Sequence, residues 1–275
     1  MSPQHKSISL KEDLPKIYRA AALYDRYLCN KSVFLFYCDA SKRLNYEKIE
    51  FRPSNFSHLI GCIPNYKSSV SASSFYKKAL NEELVYRKDF SFSHGDTKGR
   101  FYFDLKMETV GHLFRLPTVP LQIGSYNDDA FVNLTADKIV GHTPACLAIE
   151  FGEDSYYPKS LLNRDIRECV YPDTLFPIIA TACIDEDLDP QSQCLEFTYI
   201  SKALFPKYKH TVEDLALSIS KAAQASSLVP NSLSSSTHNA TRSLAEELAA
   251  AKAAAAKPQL NQEITPICEQ HTLRR

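Results

Sequence analysis

A histidine set into an otherwise apolar segment is the first place in this chain where chemistry is possible. In Phe56-Ser57-His58-Leu59-Ile60-Gly61 the helical period puts Phe56, Leu59 and Ile60, with Ile63 beyond them, on one face and His58 roughly opposite. An imidazole turned toward solvent or a cleft can take or give a proton near neutral pH, the step that metal-free RNA cleavage demands. The same position equally suits a surface or capping histidine. In residues 194–202, alternation places Leu195, Phe197 and Tyr199 on one face of a strand and Glu196, Thr198 and Lys202 on the other. Thr198 and Lys202 can bind a phosphate and stabilise its developing charge, or simply form a solvated sheet face. Residues 156–167 crowd Tyr156, Tyr157, Lys159, Arg164 and Arg167 into a stretch that reads as a loop. Its aromatic and guanidinium planes can stack on unpaired bases while its cations meet phosphates, and a local ion network with buried tyrosines is the alternative.

Other chemistries find little support. No P-loop, nucleophile elbow, dinucleotide fingerprint or H-E-x-x-H occurs. His112 and His142 stand singly, and Asp128-Asp129 reads as part of a turn with Asn127. The eight cysteines include no C-x-x-C pair and no zinc spacing with histidine, so neither a structural metal nor another cofactor is expected. Several lie in apolar runs, which suits free buried thiols in a reducing compartment.

The elements that would hold these residues are legible in part. Residues 14–28 and 71–84 have helical apolar spacing, 100–116 favours helix up to Pro117, and 211–225 predicts one more helix. Residues 33–38 and 46–51 predict a β-hairpin, and 119–123, 145–151, 175–184 and 194–202 predict strands, the last two as an antiparallel pair. Ser54 or Asn55 is expected to cap the short His58 helix and Gly61 to end it. Early helices and late consecutive strands argue for an α+β fold, with helices packed on a small antiparallel sheet. The expected domains are an N-terminal helical lead-in (1–23), a catalytic-type domain (24–225), and a Ser/Ala-rich linker, helix and tail (226–275). The helix expected at 244–256 is rich in alanine and poor in apolar bulk, so it reads as a spacer or a docking element.

Lys plus Arg equals Asp plus Glu at 32 each, and residues 211–275 carry six of each sign. No global positive field therefore pulls the protein onto nucleic acid, and any such contact needs a local basic patch. No apolar run approaches the ~18 residues of a membrane span, and the first residues lack a signal core, so a cytoplasmic location without a membrane is expected.

Taken in order, several of these pieces resemble the fourth phage-associated group of Barnase-EndoU-Colicin-RelE-like (BECR) nucleases. The likeness is carried by Ile49-Glu50-Phe51, Asn55-Phe56-Ser57-His58-Leu59-Ile60-Gly61, Phe75-Tyr76-Lys77-Lys78, Tyr157-Pro158-Lys159-Ser160-Leu161-Leu162 with Asp165-Ile166, and Phe197-Thr198-Tyr199-Ile200-Ser201-Lys202. It spans most of residues 24–202. The chain departs from the family pattern at Lys159, where Asn is expected, and at Ser201, where a small residue such as Ala is expected. The resemblance implies an endoribonuclease, toxin-like or an effector of a phage or mobile element, that needs no metal. A base would activate the 2′-hydroxyl for attack on the adjacent phosphate. His58 would be the acid/base, Thr198, Lys202 and Arg164 would contact the phosphate, and Tyr157, Lys159, Arg167, Lys77 and Lys78 would bind RNA. The expected partners are RNA, with a structured target such as a tRNA favoured by the neutral charge, and an immunity or assembly protein. The alternative is a binding module that keeps the fold without activity.

Overall fold

The structure, a computed structural model, describes residues 13–93, 96–130, 134–189 and 191–226. Past Ser226, the linker, helix and tail expected over 226–275 lie outside the described residues. The helices are α1 (Asp13–Tyr27), α2 (Asn55–Leu59), α3 (Ala72–Leu80), α4 (Asp96–Leu113) and α5 (Phe205–Ser226). The strands are β1 (Lys31–Cys38), β2 (Leu44–Phe51), β3 (Cys62–Pro64), β4 (Phe90–Phe92), β5 (Gln122–Ser125), β6 (Lys138–His142), β7 (Ala145–Phe151), β8 (Tyr156–Leu162), β9 (Phe176–Asp185) and β10 (Glu196–Ile200).

The expected small antiparallel sheet is not what forms. Seven strands close into a mixed barrel in the order β1-β2-β8-β7-β6-β5-β9, with β9 returning to β1 and β10 appended to β9. Two strands account for the difference. Residues 156–162, read as loop, are β8; Pro158 breaks the strand pattern and is accommodated by a register shift opposite Ala148 and Ile149 in β7. The short Lys138–His142 strand then joins β7 to β5. With both in place no edge remains between β2 and β9, and a ring replaces an open sheet. The β2–β8 junction is parallel, with the single ladder pair Ile49↔Tyr156.

Alternation along the strands separates two apolar faces. Val33, Leu35, Ile49, Leu147 and Ile149 line the inner wall and share one cluster with Ile17 and Tyr24 of α1, Phe56 of α2, Phe75 of α3 and Phe103 of α4. Phe34, Phe36, Ile179 and Ile184 point the other way, onto Val212 and Ala216 of α5. Inside the ring, Lys138 of β6 pairs with Glu47 of β2 and donates to the Tyr37 hydroxyl of β1 at 3.2 Å, so side chains from non-adjacent strands meet across the lumen. Five of the seven described cysteines are buried and all are free. Among the described residues no helix is long and apolar enough to cross a membrane.

α2 is held by its apolar face. Phe56 is fully buried among Tyr24, Phe75, Tyr76 and Phe114, with ring centroids 5.3–6.3 Å away. Burying one such ring contributes about 1.5–3 kcal/mol. Ser54 makes no side-chain cap, and Asn55 instead accepts from the Arg52 N–H at 2.8 Å, closing the turn before the helix. Gly61, at φ 78°, ends the helix as expected, so Ile63 falls in β3 and is exposed rather than joining the apolar face.

Candidate functional site

His58 is exposed on α2, opposite the buried Phe56, Leu59 and Ile60. Its ring donates to the main-chain carbonyl of Lys159 on β8. That bond occupies one ring nitrogen as N–H and leaves the other with a lone pair, the tautomer a general base requires. Partial loss of water around the ring, followed by the nearby Lys106 and Lys159 ammonium groups, holds the imidazole pKa below its ordinary value. His58 is therefore neutral at pH 7 and ready to accept a proton.

Lys106 is the residue that sequence reasoning missed. It belongs to α4, and its Nζ donates to the main-chain carbonyl of His58 at 3.1 Å. Burial pushes its pKa down to about 8, so the ammonium is both charged and acidic near neutral pH. The signal was present: on α4 Lys106 lies one turn from the buried Phe103 and Val110, on the border of the apolar stripe. A lysine there is buried at a cost unless it has a partner. Gly61 lies beside its stem: a Cβ there would stand in ordinary contact with Lys106 Cδ, at 3.4 Å.

The rest of α4 fixes that position. Arg100 Nη2 lies 3.0 Å from the buried Asp13 carboxylate of α1, and Lys16 Nζ lies 2.8 Å from Asp104. Near the start of the helix, a Cβ on Gly99 would lie 1.8 Å from the Ser93 carbonyl, so only glycine permits the approach.

On β8, Lys159 and Tyr157 share one carboxylate. Lys159 Nζ and the Tyr157 hydroxyl each lie 2.5 Å from Glu150 Oε2 of β7, and the ammonium sits 5.8 Å from the Tyr157 ring centroid. The hydrogen bonds to Lys159 and Tyr157 lower the Glu150 pKa and raise those of both donors. Further along, Asn163, just past β8, donates to Glu108 of α4 at 2.7 Å, a second tie between α4 and this end of β8. His58, Lys106, Lys159, Tyr157 and Glu150 thus converge from α2, α4, β8 and β7.

The other expected site residues lie elsewhere. Thr198 is the extra residue of a bulge in β10, where Phe197 pairs Ala182 and Tyr199 pairs Thr181; its hydroxyl donates to the Thr181 carbonyl at 3.2 Å. It lines a separate cavity of about 180 Å³ with Arg26, Lys31, Cys183 and Glu196. Lys202 is exposed in the turn before α5. From β8 to β9 the wall passes through β2 and β1, three steps or about 14 Å, and β10 is one strand further. Arg167 is bound to both oxygens of Asp165 at 3.0 Å, and Arg164 Nη1 lies 3.5 Å from Glu168. Lys78 pairs with the buried Asp89 at 2.7 Å, and Lys77 is exposed on α3. His112 and His142, far apart in sequence, meet edge to face at 5.6 Å. Among the described residues no group of three or more His, Cys, Asp or Glu is arranged to hold a metal ion.

The site therefore offers an exposed neutral imidazole, a readily deprotonated ammonium behind it, and a second ammonium held by a carboxylate. That set suits proton transfer beside an anion. Comparison with curated proteins and with solved structures gives no match. A sequence model of the family described as phage-Barnase-EndoU-ColicinE5/D-RelE like nuclease, group 4, matches residues 16–173, more than half of the chain, and the chain belongs to that nuclease family.

Proposed function

We propose that this chain is an endoribonuclease that cleaves RNA by attack of a 2′-hydroxyl on the adjacent phosphate, with side chains supplying all proton transfers and no metal required. The observation that carries the reading is the placement of Lys106 behind the exposed His58, its Nζ donating to the His58 main-chain carbonyl at 3.1 Å. His58 takes the 2′-hydroxyl proton as O2′ attacks phosphorus. The P–O5′ bond breaks, and Lys106, with a pKa of about 8, gives its proton to the departing oxygen. The products are a 2′,3′-cyclic phosphate and a 5′-hydroxyl. Lys159, kept in place by Glu150, sets the phosphate in line. His58, Lys106, Lys159 and Glu150 all fall within the family match, whereas Thr198 and Lys202 lie beyond its end.

The test is cleavage of single-stranded and tRNA substrates in excess chelator by the parent, His58→Ala and Lys106→Ala. Cyclic-phosphate products from the parent and a loss of roughly 100-fold or more in either variant are expected. An inactive parent, or His58→Ala cleaving as fast as the parent, refutes the assignment.

A further inference from the structure

We propose that the edge of α4 running away from His58 is the binding track for an unpaired nucleotide, with Tyr102 as the platform on which its base stacks and Lys98 as the contact for its phosphate. This rests on the reading of His58 and Lys106 as the cleavage centre and names the strand state of the substrate. Lys98, Tyr102 and Lys106 stand at positions i, i+4 and i+8, so they follow one another along a single edge of the helix over about 12 Å. Lys106 ends this line at the His58 carbonyl. Cation, ring and cation therefore alternate outward from the reacting centre.

Tyr102 is 39% exposed, although an aromatic ring on the helix that seals the core would ordinarily be buried. Phe101 beside it is 61% exposed and meets it edge to face at 5.8 Å, widening the apolar surface. Lys98 Nζ lies 5.9 Å from the Tyr102 ring centroid, so a base laid on the ring brings its own phosphate within reach of that ammonium. A duplex cannot use the platform, because its base faces are already stacked. The overall neutrality of the chain has the same consequence: with no broad positive field, affinity must come from stacking and a few placed cations.

The experiment measures binding of a short single-stranded 2′-O-methyl RNA, whose blocked hydroxyls prevent cleavage, and of the same sequence as a duplex, to the full chain and its variants. Tyr102→Ala is expected to weaken single-strand binding by about 5- to 100-fold, Tyr102→Phe to stay within about 2-fold, and Lys98→Ala to reduce the salt dependence by roughly one phosphate contact. Thermal melting of each variant checks that folding is intact. Equal binding by Tyr102→Ala, or a duplex bound as tightly as the single strand, overturns the proposal. Because the probe cannot be cut, a Tyr102-dependent affinity in a protein that cleaves no RNA upholds this track while refuting the nuclease mechanism. Cleavage whose KM is unmoved by Tyr102→Ala does the reverse.

Discussion

The ammonium of Lys106 and the N–H of Gly61 both donate to the main-chain carbonyl of His58, each at 3.1 Å. One oxygen thus ends the short helix that presents the histidine and anchors the side chain that accompanies it. The relationship makes the site's stability and its chemistry pull in opposite directions.

Lys106→Met is expected to stabilise the fold while abolishing efficient cleavage. The folded pKa of Lys106, about 8, lies below the 10.5 of a free lysine, because burial disfavours its charge. Protons are therefore released earlier by the folded state, and stability rises with pH between about 8 and 10.5. At pH 7 the penalty is present in full, and its removal is worth on the order of 1 kcal/mol or more. The His58 carbonyl keeps its Gly61 partner in the variant. Melting temperatures of parent and variant from pH 6 to 10 check this; a variant less stable than the parent at pH 7 contradicts it.

The pH profile of kcat/KM should be bell-shaped. Its acid limb reports protonation of His58 and lies below the ordinary imidazole midpoint, since desolvation and two ammonium groups favour the neutral ring. Its alkaline limb falls near pH 8, where Lys106 loses its proton. Lys106→Arg, which stays charged, should lose that limb along with much of the rate, because a guanidinium does not give up its proton.

Gly61→Ala forces an L-residue into φ 78° and brings its Cβ to 3.4 Å from Lys106 Cδ. A cost of about 1–3 kcal/mol is expected from the backbone alone. Activity should fall further than stability explains, as backbone strain at Gly61 disturbs the end of the helix that bears His58. Chemical denaturation together with cleavage rates separates the two effects.

Glu150→Gln should strengthen RNA binding. The substitution leaves the Lys159 charge unopposed and keeps an oxygen for Tyr157, so KM should drop severalfold at low salt and the salt dependence should steepen. Fold stability should change by no more than about 1 kcal/mol, as expected for a half-buried surface pair. Weaker binding would mean that the carboxylate's hold on Lys159 matters more than its charge.

Thr198→Ala and Lys202→Ala should leave cleavage within roughly 2-fold, because β10 and the turn that follows it lie four strand steps along the wall from β8. A large loss in either would move the site toward the cavity that Thr198 shares with Arg26 and Lys31.

His58 could be singled out from sequence because it interrupts a short apolar helix, and local periodicity alone decides which way it faces. α1, α3, β1, β2 and the β9–β10 pair were legible for the same reason. The barrel was not, since closure depends on β8 joining β2 and on β5 joining β9, contacts between residues 107 and 53–55 positions apart that leave no local periodicity. Pro158 and the register shift facing it hid β8 altogether. Lys106 was concealed differently: its helix was foreseen, but a lysine beside an apolar stripe reads as solvated until the partner that receives it is known.

The junction between β2 and β8 has a single ladder pair, Ile49↔Tyr156. β2 leads directly into α2, which bears His58, and β8 carries the carbonyl that His58 engages. The histidine is thus a clasp laid over the thinnest suture of the ring, and its hold on β8 exists only while that suture is shut. An unrolled barrel would retain every strand sequence and every candidate site residue yet leave the imidazole unanchored, which ties the proposed activity to the final closure of the fold rather than to the presence of its parts.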